Sequence, residues 1–313
     1  MPNHHLDKQI DLIFVGGVPR SGTTLVQNIL DSHPDIYGGP EFDRICNIVD
    51  LRRKLNRSIK HGRIDKYINQ GDVDRNIAHL IKSLLYPVAQ RNDCSFVSEK
   101  TPWNILAFKD LMEILPEAKF IYIIRYPHAT VASMIHVAER AKKAGVIPPD
   151  FIGNVSLACY YIESVLKLIH QLDKKYPGKI FTVKYEKLLE SPLPEIKRLC
   201  AYIGVPFHER MLKPGDFHHP GQETMTKHGI WYSESMYNSN LDKNNIDKWK
   251  TQLNGVTKAF INYVFFKNPF IKKYGYTFSS KGLSYLCKYL GRYKYKRYLK
   301  EHNFAKIPFR TLY

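Results

Sequence analysis

The segment Gly17-Val18-Pro19-Arg20-Ser21-Gly22-Thr23-Thr24 gathers two glycines, an arginine and three hydroxyls between an apolar run and an amphipathic one. In a turn from strand to helix, backbone N–H groups and the helix N-terminus can cradle an anion. The spacing is nearly that of the GxxxxGK[ST] phosphate loop, but Thr23 stands where that loop has its lysine. A Mg-dependent phosphoryl enzyme also needs an acidic metal ligand at the end of a neighbouring strand. Here the apolar run KFIYII (119–124) ends in Arg125. These residue types describe a site that holds an anion without metal help. The thirteen histidines show no HExxH or similar ligand spacing.

The elements around these residues read as strands alternating with helices. DLIFV (11–15) leads through the glycine loop into TTLVQNILDSH, CSFVS (94–98) into WNILAFKDLMEIL, and KFIYII into ATVASMIHVAERAKKAG. KIFTVKY (179–185) follows the long helical stretch NVSLACYYIESVLKLIHQLDKKY and precedes PLPEIKRLCAYIG. Uniformly apolar strands alternating with helices predict an α/β, three-layer P-loop-like fold with a central parallel sheet flanked by helices. Ligands of such sheets bind beyond the carboxyl ends of the strands. Residues 41–92 read as a mostly helical insertion, 211–240 as loop, and NNIDKWKTQL as a short helix.

Length and charge bound the functional classes. A chain of 313 residues, 44% hydrophobic and 24% charged, buries a substantial core; we expect one domain over 1–280 and a basic, Tyr-rich extension over 281–313. The net charge is +18, of which the extension contributes +8 from nine basic residues and one acid, so the body is itself basic. An anionic partner is implied, although charge alone does not choose among phosphate, sulfate, nucleic acid and lipid. Five dispersed cysteines (46, 94, 159, 200, 287) fit a reducing compartment rather than a disulfide framework. With no apolar run of spanning length and no apolar core in MPNHHLDKQI, a cytoplasmic protein is expected. The tail LSYLCKYLGRYKYKRYLK mixes Tyr and Leu with Lys and Arg, a pattern open to peripheral contact with the inner membrane face or to simple solvation.

PRSGTTL after the first strand resembles the 5′-phosphosulfate loop of the PAPS-dependent sulfotransferase family, most of all its tyrosylprotein sulfotransferase-like branch. In that family's pattern a strand-terminal Arg and a Ser eight residues on hold the 3′-phosphate, and Arg125 and Ser133 have this spacing. Further likenesses are Lys100 in EKTPW, Tyr185 in VKYE, Ser233 in WYSES and Lys248 beside Trp249, in order over roughly residues 11 to 253. The resemblance implies 3′-phosphoadenosine 5′-phosphosulfate as donor, adenosine 3′,5′-bisphosphate as product, and no metal. There are departures. Tyr126 replaces the usual Asp or Asn, Val137 falls where the branch has an arginine, with Arg140 nearby, and Asp43 beside Arg44 stands at its peptide-gripping arginine.

On this resemblance Arg20, Ser21, Gly22, Thr23 and Thr24 hold the 5′-phosphate and sulfate, while Arg125 and Ser133 recognise the 3′-phosphate at the other end. Tyr185, Ser233 and Lys248 complete the nucleotide site. Arg20 and Lys100 neutralise charge on the leaving oxygen, and Glu41, 21 residues after Arg20, is the expected base, with Asp43 and Glu99 as competing carboxylates. The acceptor is a hydroxyl of a carbohydrate, a peptide tyrosine or a small molecule. Two other readings stay open: a P-loop nucleotide kinase, and a non-catalytic nucleic-acid-binding protein, which no helix-turn-helix, RNP or zinc-finger signature supports.

Overall fold

Five short segments rich in Val, Ile and Phe form the sheet at the centre of a computed structural model that describes residues 9–228 and 230–279. They are β1 (Asp11–Gly17), β2 (Ile36–Gly38), β3 (Phe96–Lys100), β4 (Lys119–Ile124) and β5 (Ile180–Lys184). Their order across the sheet is β2-β3-β1-β4-β5, and every pairing is parallel. β1 and β4 are apolar over most of their length because both faces are covered.

The alternation of side chains along β1 separates two cores. Leu12 and Phe14 join Phe120, Tyr122 and Ile124 on one face, whereas Ile13 and Val15 join Ile121 and Ile123 on the other. The first core is closed by α2 (Ile45–Lys60), α3 (Gln70–Arg91), α4 (Phe108–Ile114), α5 (Pro127–Lys143) and α7 (Val155–Lys175), with one turn, α6 (Asp150–Gly153), between the last two. The second is closed by α1 (Thr23–Asp31), α8 (Tyr185–Glu190) and α9 (Pro192–Ile203). Helices, sheet and helices make the three layers expected.

Some local readings change. β2, only three residues long, carries no periodicity to detect. β3 starts at Phe96 and runs on to Lys100, so the lysine is a strand residue. Tyr185 opens α8 rather than ending β5. Residues 211–240, read as loop, contain the short helices Gln222–His228 and Ser235–Asn238. The segment NNIDKWKTQL breaks into a turn, Lys243–Asn245, and a one-turn helix, Trp249–Gln252. The helix Gly255–Phe265, unanticipated among so many β-branched and aromatic residues, starts where the Asn254 side chain accepts the Thr257 N–H. The extension from Lys281, with Cys287, lies outside the described residues, as does the expected boundary at 280. Among the described residues no helix is long and apolar enough to cross a membrane.

Candidate active site

Each strand delivers one candidate residue or segment at its carboxyl end. Glu41 follows β2, Lys100 ends β3, the loop 17–24 begins at the end of β1, Arg125 follows β4 and Tyr185 follows β5. The parallel register brings them level, pairing Val15 with Lys100 and Gly17 with Ile123. A cavity of about 550 Å³ opens there, lined by Arg20, Gly22, Thr23, Thr24, Arg125, Ser133, Tyr185 and Lys248, among others.

The loop needs its glycines. Gly22 has φ +106, and a Cβ there would overlap the Tyr185 ring; a Cβ on Gly17 would lie 2.9 Å from the Ile123 carbonyl. Arg20 also takes a left-handed φ of 73. The first-turn N–H groups of α1 have no intrahelical acceptors and open at the cavity wall formed by Gly22 to Leu25. Ser21 is buried, its Oγ meets no partner, and it is not part of the cavity lining.

Arg20 and Arg125, expected at opposite ends of a ligand, are neighbours. Arg125 Nη1 donates to the Arg20 carbonyl at 3.3 Å, and Arg20 Nε donates to Ser133 Oγ at 3.1 Å. Adjacency of β1 and β4 enforces this, since both residues sit just beyond strands that pair directly. Arg20 further donates to the Trp231 carbonyl at 2.5 Å and approaches Met236 Sδ at 3.7 Å. Arg125 also donates to the Asn245 carbonyl at 3.1 Å and stacks on Tyr185 with 4.2 Å from guanidinium carbon to ring centroid. Its Nε is buried without a partner. Burial, then the charges of Arg140 and Arg125 against the opposing effect of Tyr232, pull the Arg20 guanidinium down to about 10. Val137 is a core residue at 0% exposure, so only Arg140, whose Nε is also buried and unpartnered, stands near Arg20 from that part of α5.

Glu41, Lys100 and Tyr232 form a second cluster. Glu41 Oε1 accepts from Lys100 Nζ at 2.6 Å and from the Tyr232 hydroxyl, and Lys100 Nζ donates to the same hydroxyl at 3.2 Å. The Lys100 side chain is 4% exposed and that of Glu41 17%. None of the three lines the cavity; Trp231, whose carbonyl holds Arg20, ties them to it. Burial first, then the Glu41 charge, push the Tyr232 phenol well above its ordinary value, so it remains a donor.

The competing carboxylates have other tasks. Glu99 accepts from the Phe42 N–H at 3.1 Å, from Thr101 Oγ1 at 2.6 Å and from Asn104 Nδ2, which fastens the Glu41 loop to β3. Its pKa is raised by burial. Asp43 pairs with Arg44 at 2.7 Å.

Ser233 does not line the cavity: its Oγ is 3.0 Å from that of Ser235, which does. Lys248 Nζ donates to Asn245 Oδ1 at 2.6 Å, and Trp249, a wall residue, packs 4.6 Å from the His128 ring. Sequence reasoning missed Tyr232, although it lies inside the WYSES segment, and it missed the carbonyls of Trp231 and Asn245, for which no side-chain signal exists.

A parallel α/β sheet with an anion loop that lacks its lysine, and with cations at the ends of adjacent strands, defines a P-loop-like transferase architecture. The Sulfotransferase family model matches residues 11–209, and the chain belongs to that family. It is 28% identical over 203 residues to a putative protein-tyrosine sulfotransferase of Caenorhabditis briggsae, covering 64% of this chain and 68% of that protein. It is 29% identical over 210 residues to protein-tyrosine sulfotransferase 1 of Danio rerio, covering 66% of this chain but only 56% of that protein. In fold it resembles the sulfotransferase domain from the curacin biosynthetic pathway, with a TM-score of 0.58 at 17% identity over 87% of this chain and 100% of that one. The sulfotransferase domain from the Synechococcus PCC 7002 olefin synthase gives 0.55 at 20% identity over 89% and 98%.

Proposed function

We propose that this chain transfers the sulfuryl group of 3′-phosphoadenosine 5′-phosphosulfate to an acceptor hydroxyl, without a metal. The observation that carries this reading is the convergence of Glu41 and Lys100 on one phenolic oxygen, beside a cavity whose cations Arg20, Arg125 and Lys248 bond neutral oxygens. Sulfuryl transfer needs a base at the acceptor oxygen, a cation at the leaving oxygen and fixed donors around the transferred group. Glu41 is the base, Lys100 the cation, and Arg20 with the α1 N-terminus the fixed donors. Arg125, with a buried Nε still unpartnered, fits a phosphate that would satisfy it. Ser133, Tyr185 and Lys248 complete the nucleotide seat, with Ser235 in the place expected of Ser233.

The named relatives favour a peptide tyrosine as acceptor. A reducing, cytoplasmic setting is a further proposal, and it rests only on the wide spacing of the five cysteines in the sequence. Contact of the 281–313 extension with an anionic membrane is a separate proposal: deleting it should abolish pelleting with anionic liposomes, and unchanged pelleting rejects it. Calorimetric titration tests the main reading. Adenosine 3′,5′-bisphosphate should bind in the presence of a chelator, whereas ATP with Mg should not. ATP–Mg as the preferred ligand would favour a kinase, and indifference to both nucleotides with steeply salt-dependent binding of DNA or RNA would favour a nucleic-acid partner.

A further inference from the structure

The phenol of Tyr232 sits where Glu41 and Lys100, the base and the cation of the proposed reaction, converge. It donates to Glu41 Oε1 and lies 3.2 Å from Lys100 Nζ, so both the base and the cation of the proposed reaction already hold a phenolic oxygen of this chain. Lys100 also stands 5.1 Å from the centre of the Tyr232 ring, and the preceding residue places its carbonyl 2.5 Å from Arg20 Nη1. The electrostatic coupling between Tyr232 and Arg20 has the same origin, since the segment 231–236 wraps the arginine with Trp231 and Met236. A purely structural tyrosine needs one polar partner; this one engages the two groups that would deprotonate an acceptor and neutralise the leaving oxygen.

We propose that Tyr232 is an internal acceptor: with donor bound and no other hydroxyl present, the site sulfates its own Tyr232, once per chain. The inference rests on the sulfotransferase reading above. The sulfur–oxygen bond to the 5′-phosphate breaks as a bond forms from sulfur to Tyr232 Oη. The phenolic proton passes to Glu41, and the electron pair of the broken bond leaves on adenosine 3′,5′-bisphosphate. The new sulfate ester would sit beside Lys100, whose Nζ is 3.2 Å from the present phenolic oxygen and would help retain it. An incoming acceptor must displace the same phenol, so Tyr232 also competes with substrate.

The test incubates the full chain with 3′-phosphoadenosine 5′-phosphosulfate alone, and in parallel with a tyrosine-containing peptide. Peptide mapping by mass spectrometry of the unmutated chain should find one added sulfuryl group, on Tyr232, and less of it when the peptide is present. In Glu41→Gln the labelling should slow by about 100-fold or more. A second measurement omits the donor. Tyr232→Phe keeps the ring but gives up its bond to Glu41, and should bind the peptide about tenfold more tightly, the equivalent of one hydrogen bond to a charged group. Sulfation of the peptide with Tyr232 unmodified, or equal peptide affinity in Tyr232→Phe, overturns the inference and leaves the function intact. Sulfation of neither overturns both.

Discussion

Replacing Arg125 by alanine removes a guanidinium that combines a cavity position, a stacking partner and a buried nitrogen with no acceptor. Its present bonds, to the Arg20 carbonyl at 3.3 Å and the Asn245 carbonyl at 3.1 Å, go to neutral groups. A phosphate would exchange them for charge-assisted bonds worth about 1.5–3 kcal/mol each. Two such bonds, less the contacts they replace, come to about 3 kcal/mol, or roughly a 150-fold rise in Kd. Calorimetry should find this loss with adenosine 3′,5′-bisphosphate and little change with adenosine 5′-phosphate, which lacks the 3′ group. Arg125→Lys keeps the charge but not the fork, and should fall between. An equal loss for both nucleotides would refute the assignment and place Arg125 on the part the two ligands share.

Gly22→Ala forces a side chain into a left-handed backbone and against Tyr185. The backbone cost of about 1–2 kcal/mol and the overpacking cost of about 1–3 kcal/mol should together lower the midpoint of thermal unfolding by several degrees. An unchanged midpoint would mean that the loop is not built as described. His128 is 1% exposed between Tyr126 and Trp249, and burial lowers its pKa to about 4. The unfolded chain therefore takes up this proton first, at about pH 6.5, so stability is retained at neutral pH and lost as the pH falls towards 4. The loss attributable to this residue is about 3 kcal/mol in all. Denaturant unfolding of wild type and His128→Phe should show a shallower acid decline in the variant; parallel declines would exclude His128 as the cause.

The parts legible in the sequence are those whose chemistry is local. The loop from Gly17 to Thr24 is readable because a left-handed φ at Gly22 and the close approach of Gly17 to the Ile123 carbonyl demand glycine at those points. The run from KFIYII through Arg125 into Pro127 is readable for a similar reason: an apolar strand must end before a helix that accepts proline in its first turn. The Tyr232 cluster is different. Its hydroxyl meets Glu41 from 191 positions away and Lys100 from 132, and only the topology of the sheet brings three such segments together. Ser133 lines the cavity, but the bond its Oγ accepts from Arg20 follows from the pairing of β1 with β4 and has no local sequence signal. Ser233 and Ser235 are two residues apart, so spacing cannot tell which of them reaches the cavity. Glu99 and Glu41 are likewise alike in type. Burial among Phe42, Thr101 and Asn104 is what gives the first a structural task.

The most direct measurement is a single-turnover assay with labelled 3′-phosphoadenosine 5′-phosphosulfate and a tyrosine-containing peptide, run in excess chelator on wild type and Glu41→Gln. We expect the wild type to sulfate the peptide, and the variant to bind adenosine 3′,5′-bisphosphate normally while transferring about 100-fold or more slowly. Full transfer by Glu41→Gln, or a wild type silenced by the chelator, would contradict a reaction driven by Glu41 and Lys100 at the strand ends.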